Sequence, residues 1–513
     1  MQWFCLYSLL FVFLRGGPVD GELYTALADL EELLHTESLL IGTLQRYIAQ
    51  QEHRLAVAKR RLVEFQKEYE IATDDVTKYL SNPINAYLLV KRLTTDWKNT
   101  EALMTDDLSQ EVAQNLTEYR KYLKFPTDED LTGAATALMR LQDTYKIDTA
   151  SLARGELNGV QYSSQLSAAD CFELGRQSYN NQDFYHTVLW MTEALDRHER
   201  ETNQTDTERW EILEYLAYST YMQGNVRNAL KITDELLEIV PNHQRALGNK
   251  VYYESAIKKG VEESDTNEDT EGLHDELPER ELYEMVCRNA ISPSPKKLAK
   301  LKCRYVHKNR PFLRLAPLKE EEAYDWPRIV LYRQAMYDNE IETIKRMAQP
   351  RLKRATVQNY KTGELETANY RISKSAWLKE EEDPVVAAVS QRVEDMTSLT
   401  TSTAEELQVV NYGIGGHYEP HFDFARREEK NAFKSLGTGN RIATVLFYMS
   451  DVPQGGATVF PSLHLALWPE KGTAAFWHNL HSSGEGDYDT RHAACPVLAG
   501  SKWGLYTFLL NVR

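Results

Sequence analysis

The sequence predicts a multidomain α+β protein in which two helical regions precede a C-terminal antiparallel β-domain of the barrel or jelly-roll type. Three observations predict this order: an apolar heptad pattern, a repeated helical pattern after it, and short β-rich segments separated by glycine and proline. The chain has 513 residues, of which 42% are hydrophobic and 26% charged, and these values are typical of globular proteins with several domains.

The first helical region is predicted from two series of residues spaced seven apart. Charged residues fill most of the other positions, so the pattern specifies a long helix with an apolar face to bury. That face could pack against a second copy of the chain or against the helices after Pro83, which we predict over 84–123 and 131–145. The two series are Leu27, Leu34, Ile41, Ile48, Leu55, Leu62, Tyr69 and Leu23, Leu30, Glu37, Leu44, Gln51, Ala58, Phe65.

The second helical region is predicted to contain tetratricopeptide-like repeats. Small and apolar residues recur at the same mutual spacing from Gly175 and from Ala217, an offset of 42 residues, which is the usual period of about 34 residues plus a loop. Its tyrosines could stack on a polyproline II peptide, whose turn of about 9 Å matches six residues of helix. Alternatively, they are ordinary helix-packing residues. They are Tyr179, Tyr185, Tyr215, Tyr218, Tyr221 and Tyr252.

The acidic, apolar-poor segment 261–281 is predicted to be a linker rather than a charged binding tail. After it we predict a helix at 339–346 and strands at 407–412, 441–449, 457–460, 473–477 and 493–498. The predicted divisions of the chain are a signal peptide (1–20), a helical coiled-coil dimerisation domain (21–150), a peptide-binding repeat domain (163–260), an acidic linker with a disulfide (261–320) and the β-domain (321–513).

The net charge of −17 disfavours partners that carry many negative charges. Nucleic-acid phosphates would be repelled, and so would an anionic membrane surface. We therefore expect no nucleic-acid partner and no general affinity for membranes.

Residues 3–14 form an apolar run that is too short to span a bilayer comfortably and predicts a secretory signal peptide. An uncleaved anchor or a merely hydrophobic start are the alternatives. No later segment predicts a membrane span, and sequons at Asn115 and Asn203 are compatible with a glycoprotein of the secretory pathway. Because the sequence ends without a KDEL-type signal, retention in the endoplasmic reticulum would depend on a partner.

Four cysteines remain once Cys5 is assigned to the signal peptide. Cys287 and Cys303 are sixteen residues apart, a separation that predicts a local disulfide worth about 3 kcal/mol in an oxidising compartment. A zinc site is disfavoured because the sequence contains no CxxC pair.

A metal site is predicted from His421 and Asp423, which are two residues apart and so share one face of an extended strand. With His492 they make the two-histidine, one-carboxylate ligand set of non-haem Fe(II) oxygenases. Lys502, ten residues after His492, could pair with the distal carboxylate of a dicarboxylic cosubstrate such as 2-oxoglutarate. The alternative is that the histidines are core residues and the lysine a solvated charge.

Several motifs resemble the catalytic alpha subunits of collagen prolyl 4-hydroxylases. They are GAATALMRLQDTY, DCFELGRQSYNNQDFYHTVLWMTEAL, NYGIGGHYEPHFDFAR, LGTGNRIATVLFYMSDVPQGGATVFP, WPEKGTAAFWHNL and SGEGDYDTRHAACPVLAGSKW, and the resemblance runs from about Leu23 to Trp503. It implies that the β-domain is the double-stranded β-helix (jelly roll) of 2-oxoglutarate oxygenases. It also implies hydroxylation of proline at C4 in X-Pro-Gly sequences, coupled to the conversion of 2-oxoglutarate and O2 into succinate and CO2.

The resemblance further implies roles for individual residues. Fe(II) would be held by the two histidines and the aspartate named above, and 2-oxoglutarate by Lys502 with Tyr412 and Thr458. Tyr418 and Arg441 match peptide-contacting positions, although Arg441 could also be a surface charge. In the repeat domain, Arg245, Asn249 and the tyrosines match the peptide groove.

The partners and location implied by the resemblance are those of a luminal enzyme. Two alpha subunits would pair through the N-terminal region and join two protein disulfide isomerase beta subunits in an α2β2 tetramer of the endoplasmic reticulum lumen. Ascorbate would be a cofactor, and procollagen or other proline-rich peptides would be the substrates.

The sequence departs from the family pattern after Lys502. Phe508 stands where relatives carry a tryptophan that packs on the substrate proline, and the tail cysteine that bonds to Cys495 in relatives is replaced by the ending LLNVR. Two alternatives therefore remain beside the hydroxylase: a catalytically impaired subunit that binds proline-rich peptides, and an enzyme that hydroxylates a different residue.

Overall fold

The computed structural model describes residues 27–76, 83–105, 109–201, 207–259, 278–358, 364–429 and 439–510. The predicted signal peptide, the sequon at Asn203 and most of the predicted linker lie outside these residues. The chain divides into two compact units, one of residues 28–127 and one that contains residues 128–513. Among the helices described, none has both the length and the apolar character that a membrane span requires.

The first unit is built around one long helix, which at 48 residues is about 70 Å long. The later helices fold back along it: Phe65 stacks on Trp97 with 5.0 Å between ring centroids, and Lys124 pairs with Asp29 near the beginning of the helix at 2.7 Å. The helices are α1 (Leu27–Asp74), α2 (Pro83–Lys91), α3 (Trp97–Thr105) and α4 (Ser109–Tyr122), with a π-turn at Arg92–Asp96.

The apolar face of α1 is only partly covered by the helices that follow it. The helices after Pro83 do pack against α1, but the first heptad series stays on its surface from Leu34 to Tyr69. The exposed fractions are 65% for Leu34, 51% for Ile41, 46% for Ile48, 54% for Leu55 and 56% for Leu62. We call these five residues the α1 stripe. Within the described residues, the intrachain contacts therefore leave an apolar face that is still available to another chain.

The second unit begins with antiparallel helix pairs, as the repeat pattern predicts. Gly175 allows the first pair to approach closely, because a Cβ there would lie 2.8 Å from the Cε of Met191. Trp190 and Ile212 are fully buried between the pairs. The helices are α5 (Asp128–Tyr145), α6 (Thr149–Ala153), α7 (Ala168–Asn180), α8 (Phe184–Arg200), α9 (Arg209–Met222), α10 (Val226–Ile239) and α11 (Gln244–Lys258).

The β-domain consists of two antiparallel sheets with an apolar core between them, in agreement with the predicted jelly-roll class. The larger sheet has nine strands in the order β3-β4-β5-β17-β13-β20-β11-β10-β6, and the smaller has five in the order β16-β15-β18-β12-β9. Leu446, Phe460 and Trp477 are among the buried residues between the sheets. Helices α14 (Asp338–Ala348) and α15 (Pro384–Thr397) cover the outer face of the larger sheet, where Ile344 and Val389 are fully buried.

The bounds of the remaining elements are as follows. The helices are α12 (Glu279–Cys287), α13 (Pro295–Leu298), α14 (Asp338–Ala348) and α15 (Pro384–Thr397). The strands are β1 (Glu156–Leu157), β2 (Val160–Gln161), β3 (Cys303–Val306), β4 (Leu318–Tyr324), β5 (Ile329–Arg333), β6 (Lys353–Arg354), β7 (Val357–Gln358), β8 (Leu365–Glu366), β9 (Arg371–Ile372), β10 (Lys374–Leu378), β11 (Leu407–Tyr412), β12 (His417–His421), β13 (Arg441–Tyr448), β14 (Gln454–Gly455), β15 (Thr458–Phe460), β16 (Leu465–Leu467), β17 (Ala474–His478), β18 (His492–Ala494), β19 (Val497–Ala499) and β20 (Lys502–Leu510).

Two sequence predictions in this region are wrong. The single strand predicted at 493–498 is two strands, β18 and β19, because Pro496 between them has no N–H to donate to a sheet. The disulfide predicted between Cys287 and Cys303 is not formed, since Cys287 is bonded to Cys495, with 5.7 Å between their Cα atoms.

The physical reason for the different disulfide is the packing of α12. Its last residue, Cys287, faces the smaller sheet and is buried with Val459 and Ala493 around the sulfur of Cys495. Cys303 begins β3, the edge strand of the larger sheet, and its thiol is free and exposed. Closeness in sequence therefore does not bring Cys303 to Cys287, whereas a partner 208 residues away packs directly against it.

Candidate active site

The predicted metal residues meet at one end of a cavity of about 810 Å³ in the β-domain. Strand β12 ends at His421, and the antiparallel register places that residue directly opposite His492, the first residue of β18. Asp423 lies in the turn after β12, with one carboxylate oxygen 3.6 Å from Nε2 of His421 and the other 3.4 Å from Nε2 of His492. The structure thus brings together all three side chains from two adjacent strands.

The hydrogen bonds of the two histidines prepare them to bind a metal. Nδ1 of His421 lies 2.8 Å from the carbonyl oxygen of Glu419, and Nδ1 of His492 lies 3.0 Å from that of Thr490. A carbonyl oxygen only accepts, so each Nδ1 carries the hydrogen. In the neutral rings, Nε2 then presents a lone pair to the cluster.

The electrostatics of the cluster favour the protonation states that a metal requires. Burial lowers the pKa of His492 to about 4, so this imidazole is neutral at pH 7. Burial alone would raise the pKa of Asp423, but the neighbouring His492, His421 and Arg441 outweigh it and hold the pKa well below the ordinary value. Two imidazoles and one carboxylate, with ligand atoms within 4.8 Å of one another, fit an octahedral Fe(II) site in which the remaining positions stay open.

The second predicted subsite surrounds Lys502, the first residue of β20. Tyr412, the last residue of β11, is its directly opposed partner across the sheet. Nζ of Lys502 donates to Oγ1 of Thr458 at 3.1 Å and lies 5.5 Å from the centroid of the Tyr412 ring. Tyr448, which the sequence analysis missed, donates its hydroxyl to the same Thr458 oxygen at 3.0 Å.

Lys502 is fully buried. In the described part of the chain, no carboxylate lies within 4.0 Å of its Nζ. Burial lowers its pKa to about 7. Tyr412 and Thr458 line the cavity in front of it. A buried ammonium without an anionic partner is costly and would gain greatly from a ligand carboxylate placed there.

The predicted peptide-contacting residues line the same cavity. Tyr418 stacks on the ring of His421 with 3.5 Å between centroids. Arg441 is not a free surface charge, because it pairs with Glu405 at 2.8 Å and lies 3.7 Å above the ring of Phe508. Phe508 is therefore part of the cavity wall, in a strand that hydrogen-bonds to both neighbours.

The tyrosines of the repeat domain form one connected aromatic row, with one exception. Tyr179 and Tyr215 meet edge to face at 4.9 Å, Tyr179 and Tyr218 at 5.8 Å, and Tyr218 and Tyr221 at 6.3 Å. Tyr221 then reaches Tyr252, with 3.1 Å between their hydroxyl oxygens. Alternating rings along three helices make a surface on which a proline-rich peptide can lie.

Tyr185 is the exception, since its ring contacts His186 instead and is 57% exposed. The row also includes aromatic residues that the sequence pattern did not predict, among them Phe184 and Tyr253. Phe184 bridges Tyr179 and Tyr218, and the fully buried ring of Tyr253 stacks under Tyr221 at 4.9 Å. Helical spacing could have shown neither, because each stands beside a tyrosine that was equally well placed in sequence.

Arg245 and Asn249 lie one turn apart on α11, with Tyr252 and Tyr253 on the next turn. Arg245 is largely exposed and pairs with Glu214 of α9 at 3.1 Å. Both polar residues therefore lie on α11, the helix that carries the last tyrosine of the aromatic row.

Family models match three regions of the chain in this order. Residues 26–159 match the N-terminal region of the prolyl 4-hydroxylase alpha subunit, and residues 168–259 match the prolyl 4-hydroxylase peptide-substrate-binding domain. Residues 407–510 match the 2OG-Fe(II) oxygenase superfamily. Together with the His-Asp-His cluster, the last match defines the β-domain as that of an oxygenase dependent on Fe(II) and 2-oxoglutarate.

Relatives of known family cover nearly the whole chain. It is 51% identical to prolyl 4-hydroxylase subunit alpha-2 of Caenorhabditis elegans, over 97% of this chain and 93% of the relative. It is 48% identical to subunit alpha-1 of Homo sapiens, over 98% of this chain and 96% of the relative. The chain belongs to the prolyl 4-hydroxylase alpha subunits.

Proposed function

We propose that this protein hydroxylates proline at C4 in X-Pro-Gly sequences of collagen-like chains. The observation that carries the proposal is a His-Asp-His cluster in a cavity whose wall residues Tyr412 and Thr458 contact a buried lysine, Lys502, that has no carboxylate partner among the described residues. A metal ligand set alone would fit many reactions. A cation placed to receive a distal carboxylate selects a dicarboxylic cosubstrate, and the family to which the chain belongs selects proline.

Each residue of the site has a role in this proposal. His421, Asp423 and His492 would hold Fe(II), which when bound activates O2 for the oxidative decarboxylation of 2-oxoglutarate. Lys502 would bind the distal carboxylate of 2-oxoglutarate. Thr458 accepts from two donors and so keeps its own hydroxyl hydrogen for that carboxylate, beside the Tyr412 hydroxyl.

The substrate peptide would be held at two places. Near the metal, Tyr418 and Arg441 face the cavity and would position the reacting proline, with Phe508 forming the wall beneath Arg441. In the repeat domain, the aromatic row with Arg245 and Asn249 would bind further turns of the same chain in polyproline II form.

We further propose an α2β2 assembly with protein disulfide isomerase as the beta subunit, in the lumen of the endoplasmic reticulum. The α1 stripe supports pairing of two alpha subunits, because five apolar residues at heptad spacing stay exposed on one helix. A cleaved signal peptide, glycosylation at Asn115 and Asn203, and ascorbate as reductant complete the proposal.

A catalytically impaired peptide-binding subunit is the less favoured alternative. It was suggested by the divergent residues after Lys502, but residues 503–510 lie in β20, which hydrogen-bonds to β11 on one side and to β13 on the other. The complete cluster and the match of residues 407–510 to an oxygenase superfamily also favour the enzyme.

The test is co-expression with protein disulfide isomerase, followed by an assay of succinate formation with a (Pro-Pro-Gly)n peptide. We expect succinate only when Fe(II), 2-oxoglutarate and peptide are all present. His492→Ala should abolish the activity, whereas His481→Ala, an exposed histidine of the same domain, should retain it. Peptide binding by the wild type without Fe(II)-dependent succinate would contradict the proposal.

A further inference from the structure

The carboxylate of Asp423 is held from behind by two buried residues outside the metal cluster. Oγ1 of Thr444 lies 2.7 Å from Oδ2 of Asp423, and Nδ2 of Asn479 lies 2.9 Å from the same Thr444 oxygen. Thr444 and Asn479 are fully buried and Asp423 is 6% exposed. The three side chains therefore form a hydrogen-bonded relay in which Asp423 faces the cavity and the other two members are fully buried.

The chemistry of the groups determines the direction of this relay. An ionised carboxylate only accepts, so the single hydroxyl hydrogen of Thr444 must point to Asp423. The threonine oxygen then has only lone pairs to offer Asn479, which must present its amide hydrogens rather than its carbonyl. Asn479 consequently fixes the direction in which the threonine hydroxyl donates.

Holding the Asn479 amide in this orientation has an energetic cost. Oδ1 of Asn479 is buried and has no hydrogen-bond partner among the described residues. A buried acceptor left unsatisfied is unfavourable, but turning the amide over would leave its N–H groups unsatisfied instead and would require Thr444 to donate to Asn479. The carboxylate at the other end of the relay prevents that turn.

Rigid elements hold both residues in place. Thr444 lies within β13, where it is paired with Trp477 of β17 on one side and with Phe508 of β20 on the other. Asn479 follows β17 directly, and its backbone N–H donates to the carbonyl of Ile442 at 2.8 Å. The relay is thus supported by three central strands of the larger sheet.

We propose that Thr444 and Asn479 are positioning residues for the metal carboxylate. Thr444 takes up a lone pair of Oδ2 and restrains rotation of the carboxylate, so that Oδ1 is the oxygen offered to the metal. Asn479 acts only through Thr444. This inference rests on the proposed Fe(II) site, and it concerns residues that were not singled out from the sequence.

The test measures Fe(II) affinity by anaerobic titration of the co-expressed complex, together with its melting temperature. Thr444→Val keeps the shape of the side chain and removes the donor, and should weaken Fe(II) binding about 10- to 100-fold. Thr444→Ser keeps the hydroxyl and should restore affinity to within about threefold of wild type. Asn479→Leu should weaken binding less than Thr444→Val, because Thr444 can still donate.

A matched control and a double variant separate positioning from packing. Thr507→Val makes the same change in the adjacent strand β20, at a buried threonine whose hydroxyl has no partner among the described residues, and should leave Fe(II) affinity unchanged. Adding Asn479→Leu to Thr444→Val should cause no further loss of affinity, because the two residues act in series.

Two results would overturn the relay: Thr444→Val that binds Fe(II) as tightly as Thr507→Val, or losses that add fully in the double variant. If Thr444→Val is too unstable to purify, the Fe(II) affinity of Asn479→Leu is compared with that of Thr507→Val. Equal affinities would reject the relay. A wild-type complex that binds no Fe(II) would instead refute the proposed function itself.

Discussion

Replacing Lys502 with methionine tests two effects of this residue separately: its effect on the stability of the folded protein and its contribution to the binding of 2-oxoglutarate. Methionine has a similar length and no charge, so it can fill the same space between Tyr412 and Thr458. An unperturbed lysine has a pKa of 10.5, whereas burial lowers that of Lys502 to about 7. The difference corresponds to about 5 kcal/mol by which burial disfavours the charged form.

The pH dependence of this cost follows from proton linkage. Because the pKa is lower in the folded than in the unfolded state, the unfolded chain binds more protons between about pH 7 and pH 10.5. The contribution of Lys502 to stability therefore falls as the pH drops through this window and is least favourable below pH 7. At about 2–4 °C per kcal/mol for a domain of this size, Lys502→Met should raise the melting temperature of the ligand-free complex by about 5 °C or more at pH 7.

The same substitution should weaken the binding of 2-oxoglutarate. Removing one partner of a buried ion pair costs about 3–5 kcal/mol, which is about two to four orders of magnitude in KM. In the wild type, affinity for 2-oxoglutarate should also fall as the pH rises above 7, because the lysine then loses its proton. Isothermal titration with 2-oxoglutarate and differential scanning fluorimetry measure the two effects.

Lys345→Met is the control. Lys345 is half-buried on α14, with its Nζ 5.8 Å from the centroid of the Trp503 ring, and it does not line the cavity. It should leave the KM for 2-oxoglutarate unchanged. A Lys502→Met variant with the wild-type KM for 2-oxoglutarate would contradict the assigned role of Lys502 in binding. A lower melting temperature of the ligand-free variant would contradict the stability argument, because it would mean that the buried ammonium stabilises the fold.

Three other predictions follow from contacts in the two binding regions and in the core. Phe508→Leu keeps an apolar side chain in the cavity wall but removes the aromatic ring beneath Arg441, and should raise the peptide KM about tenfold in steady-state kinetics. Tyr221→Ala removes the ring that connects Tyr218 to Tyr252 in the aromatic row and should weaken (Pro-Pro-Gly)n binding about tenfold by calorimetry. Peptide mapping without reduction should recover Cys287 linked to Cys495 and Cys303 alkylated as a free thiol.

Each of these predictions has a control or a contrary result. Phe508→Leu should not change the KM for 2-oxoglutarate, and a parallel rise in both KM values would indicate general damage to the domain. Tyr162→Ala, at an exposed tyrosine that is not part of the aromatic row, should leave peptide binding unchanged. A peptide that links Cys287 to Cys303 would show that the buried pairing is not the one formed in solution.

Local patterns predicted the elements of this fold well. The heptad series predicted α1, because a seven-residue repeat is a property of a single helix. The strand predicted at 407–412 has the observed bounds of β11, and the helix predicted at 339–346 lies within α14. The single strand predicted at 493–498 failed because a proline interrupts it, and this signal was present in the sequence.

Contacts between distant segments were predicted only where a chemical rule linked them. His421 and His492 were expected to meet because a metal needs both, and the register of β12 and β18 places them opposite each other. No such rule connects Thr444 to Asn479 or Cys287 to Cys495. Those pairs depend on sheet register and helix packing, which local periodicity does not encode.

The most direct test of the central claim is mass spectrometry of a (Pro-Pro-Gly)n peptide after incubation with the co-expressed complex, Fe(II), 2-oxoglutarate and ascorbate. We predict one added oxygen at C4 of the proline that precedes glycine, with one succinate formed for each hydroxylated proline. A peptide that is recovered unmodified while the wild-type complex binds both Fe(II) and 2-oxoglutarate would contradict the claim.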